Sequence, residues 1–340
     1  MSTPLRNRRI RLAARPHGEP VPDDFLHDVV EMPSPEPGQV LLRTRYLSLD
    51  PYVRGRMSDA KSYAAPMEVG DVIVGGTVSE VVESAADGCS PGDLVLSYGG
   101  WQEYSLEPAD RLRRLDPSVA PVATALGVLG MPGFTAYAGL LAIGKPQPGE
   151  TVAVAAATGP VGSAVGQIAK LHGARAVGIA GGEDKVAHLR ELGFDAALDH
   201  RAPDLPGRLA DAAPDGIDVY FENVGGAVWD TVLPQLNEFA RVPVCGLAAN
   251  YNATSLPEGP DRSGLLMGAM LSRSLTLRGF IQREFVEAMF EDFLRDMTDW
   301  VADGKVQHTE DITEGLERAP EVFVGMLNGR NLGKTLIQVS

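Results

Sequence analysis

The sequence predicts an α/β protein built around a doubly wound parallel sheet, with a β-rich domain beside it. Three observations carry this reading. Between residues 151 and 180 a strand, a glycine-bearing turn, a helix and a second strand follow one another within about thirty residues. Strands and helices then keep alternating to about residue 301, the order that builds a parallel sheet covered on both faces. Before residue 127, by contrast, short apolar runs are separated by Pro, Gly and Asp, as in a compact β domain.

Taken in order, a cluster of Arg6, Arg8, Arg9 and Arg11 leads into an apparent strand, and further strands are expected at 40–44, 71–83, 93–97 and 102–106. The stretches PSPEPG at 33–38 and SPGD at 90–93 are turns. From 122 to 141 the residues become small and apolar, interrupted by Gly127, Gly130, Pro132 and Gly133, which reads as helices crossing into the next domain. Residues 151–156 alternate valines as a buried strand does, and a helix at 162–172 turns Val165, Ile168, Ala169 and Leu171 inward. A strand at 176–180 closes the unit. Then come a helix at 184–192, strands at 196–198 and 217–221, a helix at 228–236, strands at 240–244 and 275–277, and an amphipathic helix at 283–301. A last helix at 314–327 precedes a terminal strand at 334–339.

The dinucleotide frame G-x-G-x-x-G reads Ala157-Thr158-Gly159-Pro160-Val161-Gly162, with Ala in the first glycine position. Placed between a strand and a helix, its unobstructed N–H groups and the helix dipole suit a pyrophosphate. Gly166, one helical turn further on, lets the helix approach the sheet. An NAD site would place a ribose-binding carboxylate about 20 residues later, at the end of the second strand. That position holds Gly181-Gly182, followed by Glu183, Asp184 and Lys185. The acids suit the first turn of a helix and Lys185 suits an adenosine 2′-phosphate, so NADP is preferred. In the alternative, Glu183 holds the ribose diol of NAD and Lys185 is a solvated lysine.

Composition narrows the function. With 30 Lys+Arg against 45 Asp+Glu the net charge is −15, which repels nucleic acid and anionic membranes, and the short arginine cluster lacks interleaved aromatics. Two cysteines, Cys89 and Cys245, cannot build a disulfide framework or a cysteine-rich zinc site. No signal sequence and no apolar stretch of membrane-spanning length is seen, so a cytoplasmic protein is expected.

Several segments together resemble a family: LSLDPYVR at 47–54, GFTAYAGL at 133–140, the fingerprint, FENVGG at 221–226, VPVCG at 242–246, NYN at 250–252 and NLGK at 331–334. The chain is similar to the zinc-independent medium-chain dehydrogenases/reductases of the prostaglandin reductase (leukotriene B4 dehydrogenase) and plant alkenal double-bond reductase group. The resemblance implies a GroES-like domain at 1–128, a Rossmann domain at 129–303 and a C-terminal segment, 304–340, that returns to the first domain. Zinc-dependent relatives carry Gly-His-Glu where this chain has Val69-Gly70-Asp71, and the four-cysteine loop is missing. Metal catalysis is therefore not expected.

The reaction implied is hydride transfer from NADPH to the β-carbon of an α,β-unsaturated ketone or aldehyde, with the enolate then protonated at the α-carbon. Tyr251 matches the family tyrosine that donates to the enolate oxygen, a task suited to a phenol with an ordinary pKa near ~10. Tyr52 matches a tyrosine lining the substrate pocket. Cofactor contacts are implied for Thr158, Gly159, Pro160, Val161, Gly162, Gly181, Gly182, Lys185, Asn223, Val224, Cys245, Gly246, Phe280 and Asn331. Where relatives place a tyrosine beside the 2′-phosphate, this sequence has His200, with Arg201 next to it. Cys245 reads as a small buried residue in a strand and not as a nucleophile. Met267, Met270 and Phe280 line an apolar cleft or pack the core, and the loops at 58–66 and 253–272 shape the substrate site. A homodimer is implied. Quinone reduction and a non-catalytic NADPH-binding role are the competing readings.

Overall fold

The computed structural model describes residues 4–255 and 259–340. The chain forms two compact units, residues 127–309 and residues 1–126 with 310–340.

Elements of the 127–309 unit are numbered within it. Six strands, β1 (Thr151–Ala155), β2 (Arg175–Ala180), β3 (Ala196–Asp199), β4 (Ile217–Phe221), β5 (Leu236–Val244) and β6 (Thr276–Gly279), form a sheet in spatial order 3-2-1-4-5-6. All its pairings are parallel. Every residue of β1 is buried, which is why it reads as a continuous apolar run. The helices are α1 (Met131–Ala138), α2 (Pro160–Leu171), α3 (Glu183–Glu191), α4 (Leu205–Ala212), α5 (Gly226–Val232), α6 (Ser263–Arg273) and α7 (Val286–Ala302). Strand order reverses between β1 and β4, so the turns after these two neighbours flank the crevice where such sheets bind ligands.

In the other unit, the long strand Gln39–Ser48 pairs antiparallel with Thr77–Ser84, with Tyr104–Pro108 and with the C-terminal strand Lys334–Gln338. The C-terminal strand thus joins a seven-stranded sheet with strands from the first 115 residues, while Arg6–Leu12 and Phe25–Glu31 form a separate two-stranded ribbon. The core of this unit centres on Trp101, stacked on Phe25 at 6.0 Å and met edge-on by Phe323 at 5.6 Å.

Some elements differ from expectation. Phe25–Glu31 is a strand that the sequence hides, because this outer half of a two-stranded ribbon exposes residues on both faces. The expected strand at 71–83 is regular only over Thr77–Ser84. Glu310–Glu314 is a parallel edge strand, so the last helix begins only at Ala319. The helix after β4 stops at Val232 and a single 3-10 turn leads into β5, four residues earlier than alternation suggests. Within the supposed loop 253–272 lies α6, which carries apolar residues outside as well as inside: Leu265, Met267 and Leu271 are exposed while Ala269 is buried. An apolar helix without a polar face shows no periodicity.

Candidate active site

The turn after β1 is built by sterics. Ala156 sits in the left-handed region at φ 50°, and Gly159 N–H donates to its carbonyl at 3.0 Å. A Cβ on Gly162 would fall 2.5 Å from the Ala156 carbonyl oxygen and 2.7 Å from Ala157 Cα, so only glycine lets α2 start this close to the strand. Gly166 serves a different neighbour, since its missing Cβ makes room for the Phe194 ring. Gly159 is otherwise open: an added Cβ would meet the Ala156 oxygen alone, at 3.3 Å. Pro160 occupies the first turn, Thr158 is buried, Val161 is half-buried, and no side chain caps the helix. An uncapped N-terminus beside an open glycine is what a pyrophosphate needs.

At the ends of β2 and β3, positive charge gathers around Gly181. A Cβ there would lie 2.7 Å from His200 Nε2 and 2.9 Å from Arg201 Nε, so the glycine makes room for these two side chains. His200 N–H donates to the Ala180 carbonyl at 2.9 Å and Arg201 N–H to Asp199 Oδ1 at 2.9 Å, while Asp199 also accepts from the Gly182 N–H. Gly182, at φ 100°, precedes α3 and hence Lys185. Although His200 is an exposed residue, partial burial of its ring on Gly181 lowers its pKa, and the Arg201 and Lys185 charges lower it further against Asp199. Three cationic or protonatable side chains around one strand end fit a phosphate monoester.

The turn after β4 and the segment after β5 meet. Asn223 donates from Nδ2 to the Ala155 carbonyl at 2.9 Å, which ties this turn to the end of β1. The Ala248 N–H donates to the Asn223 carbonyl at 3.1 Å and the Ala249 N–H to that of Val224 at 2.9 Å. Tyr251 follows a short 3-10 turn, and a Cβ on Gly246 would lie 3.0 Å from its hydroxyl and 3.3 Å from the Asn223 oxygen. The structure thus brings Tyr251, Asn223, Val224 and Gly246 together next to the fingerprint strand. Cys245 lies just past the end of β5, half-buried, with burial pushing its thiol up to about 12; it is no thiolate at neutral pH.

Phe280 is core: its ring is buried edge-on against Phe221 at 6.1 Å, and it would collide with any Cβ at Gly139. Met270 packs on the sheet and Met267 is 64% exposed, so neither lines an enclosed cleft within this unit. In the other unit, Tyr52 is half-buried, and burial followed by the Asp50 carboxylate pushes its phenol well above the ordinary value. Asn331 donates from Nδ2 to the Gly333 carbonyl at 2.9 Å.

Sequence reading passed over an ion pair that joins two of its own motifs. Lys334 Nζ donates to Asp50 Oδ1 and to the Leu49 carbonyl, both at 2.8 Å, with both side chains almost wholly buried. A lysine in NLGK and an aspartate in LDPY were the available signal. Asp199 and Glu222 were passed over too, each marked only by an acid at a strand end. Among the described residues, no three His, Cys, Asp or Glu side chains gather as a metal site would require.

The chain is similar to known proteins over nearly its whole length. Residues 8–115 match the N-terminal domain of oxidoreductase family, and residues 160–301 match the zinc-binding dehydrogenase family. The chain is 55% identical over 336 residues to the NADPH-dependent curcumin reductase of Escherichia coli, covering 98% of this chain and 97% of that protein. It is 40% identical over 326 residues to bovine (Bos taurus) prostaglandin reductase 1, covering 94% and 95%. The crystal structure of CurA in complex with NADPH from Vibrio vulnificus superposes with a TM-score of 0.94 at 49% identity, covering 98% and 99% of the two chains.

Proposed function

The chain belongs to the zinc-independent medium-chain dehydrogenases/reductases of the prostaglandin reductase and alkenal reductase group, and on that premise we propose that it reduces the carbon–carbon double bond of α,β-unsaturated ketones or aldehydes with NADPH. NADPH, when bound, supplies the hydride that reaches the substrate β-carbon.

The chain's own residues do the rest. The α2 N-terminus with Gly159 and Gly162 holds the pyrophosphate; Lys185, His200 and Arg201 hold the 2′-phosphate. Asn223, Val224 and Gly246 border the reacting end. As hydride arrives, negative charge moves to the substrate oxygen, and the Tyr251 hydroxyl donates to it. A donor fixed there stabilises the transition state more than the ground state. Tyr52 lines the substrate pocket in this reading.

The observation that carries the proposal is the position of the Tyr251 hydroxyl over Gly246, beside the Asn223 turn that is bonded to the fingerprint strand. A panel of enones and quinones, run with NADPH and NADH in parallel, tests it. Faster oxidation of NADPH with enones supports the reading; turnover of quinones alone would overturn it. The same reading includes a cytoplasmic homodimer. Among the described residues strand β6 is the edge of its sheet and the neighbouring α6 exposes Leu265, Met267 and Leu271, which supports contact with a second copy there; a monomeric mass in sedimentation would remove that part.

A further inference from the structure

The one acid of FENVGG, Glu222, is assigned no part in cofactor or substrate binding, and it is buried. Glu222 is 3% exposed. Its Oε1 accepts from the N–H of Val224 at 2.7 Å, the N–H of Gly225 at 2.8 Å and the Tyr220 hydroxyl at 3.2 Å. Oε2 is buried and has no partner. These three bonds all fall on one oxygen.

The backbone of Glu222 is equally committed. Its N–H donates to the Pro243 carbonyl at 3.0 Å, and its carbonyl accepts from the N–H groups of Cys245 at 2.9 Å and Gly246 at 3.1 Å. The next two carbonyls, of Asn223 and Val224, accept from Ala248 and Ala249. Gly225 and Gly226 both lie at positive φ, 74° and 58°, and a Cβ on them would stand 3.2 Å from Leu247 and 3.3 Å from Ala249. The segment carrying Tyr251 thus rests on this turn bond by bond. The turn itself has two successive left-handed glycines, which have no intrinsic preference for that shape. What selects the shape is the Glu222 side chain folded back onto its own turn.

Resting on the proposed role of Tyr251, we propose that Glu222 is a positioning residue: through the Val224 and Gly225 N–H groups it fixes the 223–226 turn, and through that turn it sets the place of the 245–251 segment and of the Tyr251 hydroxyl. Burial raises the carboxyl above its usual range against the hydrogen bonds that lower it, and a proton on the unpartnered Oε2 would leave Oε1 as acceptor. The acceptor, not the charge, does the positioning, so an amide replaces it.

Amide hydrogen exchange on the full chain, with Glu222→Ala and Glu222→Gln, tests this. In the alanine variant the amides of 223–226 and 245–251 exchange about tenfold faster, and in the glutamine variant they stay near the parent rate. Those of β3 do not change in either. Enone kcat falls about tenfold in the alanine variant with the ratio of NADPH to NADH KM unchanged, and the loss disappears in a Tyr251→Phe background, because the two act as one unit. Should the alanine variant fail to fold, Glu222→Asp withdraws the acceptor by one methylene and takes its place. Unchanged exchange at 245–251, or a glutamine variant as loose as alanine, overturns the proposal. Exchange reports the segment whatever Tyr251 does, so a Tyr251→Phe enzyme at parent rate would sink the donor reading alone.

Discussion

Two strand-to-helix turns stand side by side at the point where the strand order reverses, and they treat their backbone N–H groups in opposite ways. After β1, the turn of Ala156 to Gly162 leaves the N-terminus of α2 without a side-chain cap. After β4, the turn of Glu222 to Gly226 is filled by its own carboxyl, with two N–H groups on one oxygen. An open turn can take an anion from outside; a filled one cannot. The first is left open and the second holds itself, and the Asn223 to Ala155 hydrogen bond links them. Glycine serves both, as space for a close approach at Gly162 and as permission for positive φ at Gly225 and Gly226.

The largest effect is expected where the open turn is closed from within. Gly162→Val drives a side chain into the Ala156 carbonyl and should cost about 2–4 kcal/mol of stability, with NADPH binding lost by about a hundredfold or more. Gly159→Ala sharpens the contrast, because φ −72° suits any residue and the added Cβ meets only the Ala156 oxygen, at 3.3 Å against 2.5 Å for Gly162, while the methyl obstructs the pyrophosphate. Its Tm should hardly move while the NADPH KM rises about tenfold. A thermal melt beside a cofactor titration separates the two glycines; equal loss of Tm in both would erase the distinction.

Next is the reacting end. Tyr251→Phe keeps the ring and removes one donor, so enone kcat should fall about tenfold to a hundredfold with the NADPH KM unchanged. At the phosphate end, Lys185→Ala should raise the NADPH KM by about one order of magnitude and leave that of NADH alone. If both cofactors suffer equally, Lys185 is not at the 2′-phosphate.

The smallest effect is a pH dependence. His200 lies below its ordinary value in the free protein, so it is neutral at and above neutral pH, while a phosphate dianion against it favours the protonated form. NADPH binding then takes up a proton, and its affinity should weaken a few-fold as pH rises from about 6 to 8, with NADH flat. The charges that face it are Arg201, Asp199 and Lys185. His200→Phe should abolish the slope; an undiminished slope would place the titration elsewhere.

Much of this was legible from the residues. The unbroken apolar run of β1, the glycines at its end and the missing carboxylate at Gly181-Gly182 are local patterns with local causes. Glu222 was not legible because its partners are backbone N–H groups two and three residues ahead, a bond that no side-chain pattern announces. Nor was the bond between Lys334 and Asp50, which only the return of the last strand to the first sheet brings together. Helix α6 escaped because its apolar residues face outward as well as inward. Nor does the sequence announce that the missing side chain of Gly181 makes room for His200 and Arg201.

The claim on which these readings converge is conjugate hydride transfer, and isotope placement tests it most directly. Reduction of a simple enone with NADPH carrying deuterium at the transferable position should put a single deuterium on the β-carbon of a saturated ketone, with the α-hydrogen drawn from solvent. Deuterium on the carbonyl carbon of an unsaturated alcohol would contradict it.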